Sequence, residues 1–223
     1  MSDSNVVTQD QLMKSEMEKM VPSYDSYMRK VTLGRERALR ETTIGLAQVK
    51  PGDSVLEVGC GTGTLTLAAK RQAGPAGQVF GIDVIPGMIE LSQRKAAQAN
   101  ENITFRLGSI DDIPFSENQF DVVMCSFMIF HMSEDTRRKG IAEIYRVLKP
   151  RGRLLVLDLA LPTPPVQRAI AKTLFGGMLQ HDLRELAPLM EASGFSNVES
   201  GPAKFRILGL SVLGFVRASA RKS

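Results

Sequence analysis

The chain has 223 residues, 43% hydrophobic and 23% charged, enough to bury a core and an ordinary mixture for a folded protein. Twenty-eight Lys and Arg against 24 Asp and Glu leave a formal charge of only +4. With most bases interleaved with acids, no Trp and three Tyr, this argues against the basic, aromatic stripe of a nucleic-acid binder. Cys60 and Cys125 fall in or beside strand-like segments, which fits buried thiols in a reducing compartment better than a disulfide framework. The amino-terminal residues lack a charged-then-apolar leader pattern, and the longest mainly apolar run, 207–216, is too short for a bilayer. A cytoplasmic protein is expected. Both ends, 1–9 and 218–223, read as loose, the second as a solvated basic tail.

In chain order, Val6, Leu12, Met13, Met17 and Met20 form an apolar stripe at helical spacing that stops at Pro22, and a second helix is expected over roughly 26–48. Ser54 to Val58 is strand-like and enters a glycine cluster, Gly59, Gly61 and Gly63, after which Thr64 to Ala73 is helical. Strands follow at Val79 to Asp83, Ile103 to Leu107, Phe120 to Phe127 and Leu154 to Leu159. Helices lie between at Gly87 to Asn100 and from a Ser133 cap to Leu148, with a stop and a turn at Lys149-Pro150-Arg151-Gly152. Two more helices are expected, from Pro164-Pro165 to Phe175 and from Asp182 to Ala192. Val198 to Leu208 and Ser211 to Ala218 read as a closing antiparallel hairpin around Gly209. The alternation predicts an α/β fold, a doubly wound, mostly parallel sheet with helices on both faces.

A strand-to-helix turn built on Gly59-Cys60-Gly61-Thr62-Gly63 lets a ligand approach bare backbone. Alone it is as readily a simple turn. Asp83, about 20 residues on at the end of the next strand, can accept both ribose hydroxyls of an adenosine, although by itself it reads equally as a cap on the helix near Pro86. Together they point to an adenosine-containing ligand. Thr64 stands where G-x-G-x-x-G would need its last glycine, and the phosphate loop G-x-x-x-x-G-K-[ST] is absent. Glu57, just before the loop, repels a pyrophosphate and suits a cofactor carrying ammonium and sulfonium charges.

Val55 to Gly63 resembles the first motif of the class I S-adenosylmethionine-dependent methyltransferases. The likeness continues through Gly81-Ile82-Asp83, Ile113-Pro114-Phe115, Phe120 to Val123, Tyr145 to Pro150 and Gly152 to Val156. Tyr24-Asp25 with Met28 adds a likeness to the group that includes the ubiquinone and menaquinone C-methyltransferases. The resemblance implies a Rossmann-like, seven-stranded sheet in the order 3-2-1-4-5-7-6 with strand 7 antiparallel, residues 1–50 forming a helical lid and 51–223 the cofactor-binding domain. It places Gly59, Cys60, Gly61 and Gly63 at the methionine part of S-adenosylmethionine with Glu57 ordering the loop, Asp83 at the ribose, Val84 beside the adenine and Ser126 beside the methionine. Tyr24 covers the cofactor. Adenine recognition falls to Ser109 and Ile110, with Asp111 compensating for the acid that Ser109 replaces.

Two further departures matter. Phe130-His131 stands where the quinone enzymes carry Arg-Asn, and Arg151 replaces a usual glycine, so the quinone reaction itself is not assigned. His131 is the candidate general base, against the alternative of a packing histidine. Asp158 at the end of the fifth strand is a second catalytic candidate, against a satisfied turn carboxylate. His181 reads as a capping residue more than a catalytic one. Phe127, Met128, Phe130, Met132, Phe175, Met178 and Leu179 are candidates for an acceptor pocket or for plain core, and Met17, Met20 and Met28 for an apolar lid surface. The expected partner is a small-molecule or lipid-like methyl acceptor, with a peripheral membrane contact allowed and no metal. The competing readings are a non-catalytic cofactor-binding scaffold and a methyltransferase acting on RNA or protein.

Overall fold

A computed structural model of the chain describes residues 8–162, 164–175 and 182–222. Strands β1 (Ser54–Val58), β2 (Gln78–Asp83), β3 (Thr104–Leu107), β4 (Phe120–Ser126), β5 (Leu148–Leu159), β6 (Phe195–Pro202) and β7 (Leu213–Ala220) form one sheet in the order β3-β2-β1-β4-β5-β7-β6. The first five are parallel, and β7 runs antiparallel to both β5 and β6. This is the architecture the motifs imply.

The strands are apolar on both faces because both faces are covered. Val55, Val122, Met124 and Leu155 pack with Ile44 and Ala47 of α3 (Glu36–Ala47) and Leu65 and Ala69 of α4 (Thr64–Ala73). Their neighbours Leu56, Val123, Cys125 and Val156 face the other way, against Ile141 and Ile144 of α6 (Glu134–Val147) and Leu186 and Met190 of α8 (Leu186–Ala192). Helix α5 (Pro86–Gln98) sends Ile89 and Ala96 toward Phe105 of β3. Both cysteines are free and buried, and burial pushes both thiols well above their ordinary range. The remaining helices are α1 (Gln9–Met20), α2 (Tyr24–Val31) and α7 (Pro165–Phe175).

Four sequence expectations are corrected. The helix expected over 26–48 is two helices, α2 and α3, because Leu33 and Gly34 adopt left-handed backbone and the Gly34 N–H turns back to the Arg29 carbonyl at 2.7 Å. Strand β5 begins at Leu148: the expected stop at 149–152 is a bulge in the strand, with Arg151 at φ 62° and the pairing jumping from Phe120–Leu148 to Val122–Arg153. The hairpin does turn near Gly209, where Ile207 and Leu210 bridge, but its strands end at Pro202 and resume at Leu213. The carboxyl-terminal tail is pinned. Residues up to Ala220 belong to β7, Arg217 pairs with Glu199 at 2.5 Å, and Lys222 donates to Asn118 and to the Arg146 and Leu148 carbonyls.

Candidate functional site

Parallel strands that end on the same edge leave a crevice outside their carboxyl ends. Here it is a cavity of about 730 Å³. Its floor comes from the ends of β1 (Val58, Gly59, Gly61), β2 (Asp83, Val84), β4 (Ser126, Phe127) and β5 (Asp158, Leu159), and Ser109, Ile110 and Asp111 close one side. Across from them lie α1 and α2, contributing Met13, Met17, Met20, Tyr24 and Met28. With Met88, Met128 and Met132, seven of the chain's eleven methionines line this space.

The glycine loop is shaped by close neighbours. Gly59 has φ +69°, and a Cβ there would sit 2.9 Å from Met128 Cγ. A Cβ on Gly61 would fill the gap beneath the Tyr24 ring, 3.6 Å from its Cε1. Gly63, by contrast, does not line the cavity. It starts α4 in left-handed backbone, packed against Ser92 and Phe105. Cys60 also points away, bonding backbone to backbone with Ile82 at 2.9 Å.

Asp83 ties loop to strand: Oδ2 accepts the Gly61 N–H at 2.9 Å and Oδ1 the Ile85 N–H at 3.0 Å. Burial raises its carboxyl above the usual range, against the pull of these N–H groups. Beneath the loop, Glu57 is 2% exposed and accepts the Thr66 hydroxyl. Burial pushes its carboxyl up to about 8, and Thr66 and the nearby Arg40 pull it back only in part. Folding therefore favours the protonated form. The Glu57 contribution is complete below about pH 4.5, declines as pH rises, and is gone above about pH 8. Glu57→Gln keeps an acceptor for Thr66 and cannot titrate. Its stability relative to the parent is expected to rise by about 2 kcal/mol between about pH 6 and pH 7.5. Urea unfolding at the two pH values checks this, and parallel pH profiles would refute it.

Ser109 donates to the Asp111 carboxylate, so the pair acts together on the cavity wall beside Ile110. Tyr24 is close enough to Asp83 and Glu57 that burial, aided by their charges, raises its phenol to about 12. His131 sits on a short turn, Ile129–His131, exposed at the cavity edge. Asp158 is 5% exposed and lines the cavity. Phe127, Met128, Phe130 and Met132 line it as well. Phe175 ends α7, and Met178, Leu179 and His181 lie outside the described residues.

Two carboxylates missed by sequence reasoning fasten the first helices over the cavity. Asp25 accepts the Thr62 hydroxyl at 2.7 Å and pairs with Lys95 at 2.5 Å. Burial pushes the Asp25 carboxyl up, but these partners outweigh it and hold it below its ordinary value. Asp10 accepts the Ser133 N–H at 2.8 Å and the Thr136 hydroxyl at 2.7 Å, at the amino end of α6, where a negative charge is favoured. Arg40, also unanticipated, donates to Thr64 Oγ1 at 2.7 Å.

A family model for a methyltransferase domain matches residues 55–152. A demethylmenaquinone methyltransferase of Deinococcus radiodurans is 30% identical over 174 residues, covering 78% of this chain and 69% of that one. The chain belongs to the class I S-adenosylmethionine-dependent methyltransferases. Its place in that family is with the ubiquinone and menaquinone group. A demethylmenaquinone methyltransferase of Symbiobacterium thermophilum is 34% identical over 155 residues, 69% of this chain, and the match spans 61% of the relative's length. In fold, an S-adenosylmethionine-dependent methyltransferase of Aquifex aeolicus superposes with a TM-score of 0.67 at 21% identity, over 91% of this chain and 97% of that one. The residues present fit the family's cofactor. Bare backbone at Gly59 and Gly61, with room beneath Tyr24 that a side chain would fill, adjoins a buried carboxylate on the next strand.

Proposed function

We propose that this protein transfers a methyl group from S-adenosylmethionine to a small acceptor with a lipid-like, apolar part. One observation carries the reading: a single cavity joins the glycine loop and Asp83 to a wall of methionines. The cofactor, when bound, supplies an electrophilic methyl group on a sulfonium. Gly59, Cys60, Gly61 and Gly63 make the turn that admits it, and Glu57 orders that turn from below through Thr66. Asp83 receives the ribose hydroxyls, Val84, Ser109, Ile110 and Asp111 bound the adenine side, and Ser126 and Tyr24 flank the methionine side.

In this reading, residues 51–223 form the catalytic domain and 1–50 a helical lid. The clips at Asp10 and Asp25 hold α1 and α2 down, which excludes water from the space beneath. The work of the chain is then mainly to hold an acceptor in line in a dry pocket. His131 takes the acceptor's proton on an imidazole nitrogen, the side-chain type most often used for proton transfer near neutral pH. The reading extends to a cytoplasmic protein with a peripheral contact at a lipid surface. For that contact α7 offers exposed Val166, Ile170 and Leu174, whose four-residue spacing puts them on one face of the helix. Among the described residues no helix is long and apolar enough to cross a membrane.

Calorimetric titration with S-adenosylhomocysteine, followed by transfer of labelled methyl to a panel of quinols, phospholipid head groups and small phenols, tests the proposal. Binding without transfer to any of them would favour a silent binder, and no binding would remove the donor. With a working acceptor, His131→Ala is expected to lower kcat by about a hundredfold and to flatten the pH–rate profile near neutrality. An unchanged profile would leave His131 a packing residue.

A further inference from the structure

Asp158 is a polar group on the cavity wall that the cofactor reading leaves idle. Asp158 closes β5, and in sheet order the strand ends run Asp83 on β2, Gly59 on β1, Ser126 on β4 and Asp158 on β5. Neighbouring strands lie about 4.8 Å apart, so Asp158 stands about 14 Å along the row from Asp83, beyond the strands assigned to ribose and methionine.

Its side chain is buried, and its two oxygens differ. Oδ1 accepts the N–H of Leu159 at 2.8 Å, whereas Oδ2 has no hydrogen-bond partner. A buried acceptor left unmet costs about 1–3 kcal/mol. An apolar residue at this position would avoid that cost, so the orphan oxygen of a residue that lines the cavity marks a contact that a bound molecule completes. Phe127, Leu159, Val31 and Met28 line the same cavity, and the first three also join the core cluster that contains Leu157. Phe127, at φ 56°, holds a backbone conformation rare for an aromatic residue, and its N–H is fixed to the Leu157 carbonyl at 2.9 Å, which keeps this corner rigid.

We propose that Asp158 anchors the methyl acceptor through Oδ2, and that the acceptor therefore carries a hydrogen-bond-donating head, a hydroxyl or an amine, on an apolar body. This rests on the methyltransferase reading and adds to it which end of the acceptor is held and by what. Burial raises the Asp158 carboxyl to about 7, against the pull of the Leu159 N–H, so a donor that pairs with the ionised form draws it back down. A head without a donor leaves Oδ2 as it stands and gains nothing from it.

The test uses matched probes in the presence of saturating S-adenosylhomocysteine: para-hexylphenol, its methyl ether para-hexylanisole, and para-hexylbenzylamine. At least one donor-bearing probe is expected to bind the parent protein about tenfold or more tightly than the ether, as one hydrogen bond to a charged group provides. In Asp158→Leu that ratio should fall to about one while S-adenosylhomocysteine affinity stays within about twofold, which shows the cavity intact. Asp158→Asn separates the two heads, since it retains an acceptor for a phenol but no charge for an ammonium. Equal binding of ether and donor probes, no binding of any probe, or a ratio that survives in Asp158→Leu each overturns the proposal. Failure of S-adenosylhomocysteine to bind the parent protein would instead strike the methyltransferase reading, and this inference with it.

Discussion

Asp83→Ala is expected to weaken S-adenosylhomocysteine binding by about a hundredfold or more while leaving a folded protein. Each ribose hydroxyl given to an ionised carboxylate is worth about 1.5–3 kcal/mol, and two such bonds convert to roughly two to four decades in affinity. The carboxylate also holds the Gly61 N–H at 2.9 Å and the Ile85 N–H at 3.0 Å, so its loss frees the loop as well as removing the contact. Asp83→Asn keeps an acceptor for one of these and should lie between the extremes. Calorimetry with circular dichroism as the check on folding decides it. An Asp83→Ala protein that binds like its parent would remove Asp83 from the ribose.

Gly63→Val should act on stability instead, lowering it by about 2–5 kcal/mol. The position is left-handed at φ +76°, which a β-branched residue adopts only at a cost of about 1–2 kcal/mol or more. Its new Cβ would lie 2.8 Å from the Ser92 Cβ and 3.0 Å from the Phe105 ring, and overpacking of this kind costs about 1–3 kcal/mol more. Ser92 is fully buried and cannot swing aside. Such a loss is a large share of the net stability typical of a domain this size. A urea midpoint equal to the parent's would show that the contact yields freely.

The contrast between these glycines bears on what a sequence discloses. Gly59, Gly61 and Gly63 look alike as a motif, yet the first two face the cavity and the third fits α4 against α5 and β3. The parallel strands were legible because both faces are apolar over short runs, and the strand order followed from the shared motifs. The break between α2 and α3 also had a local signal in Gly34, but the helical spacing on either side of it hides the interruption. The fastenings of the first helices had none. Thr62 lies 37 residues from Asp25, and Ser133 lies 123 from Asp10, so tertiary packing alone brings these short polar side chains together. Asp158 was visible as an acid after an apolar strand, but its unmet oxygen is a property of the folded surroundings.

The seven thioethers around the cavity have a consequence for selection among guests. Unbranched chains with several rotatable bonds and a polarizable sulfur re-form around molecules of different outline at little energetic penalty. A wall of that kind accepts many contours, so discrimination by shape is weak and turnover of several related compounds is the expected behaviour. Oxidising those sulfurs to sulfoxides would make the same surface polar, and its tolerance for apolar guests would narrow with it.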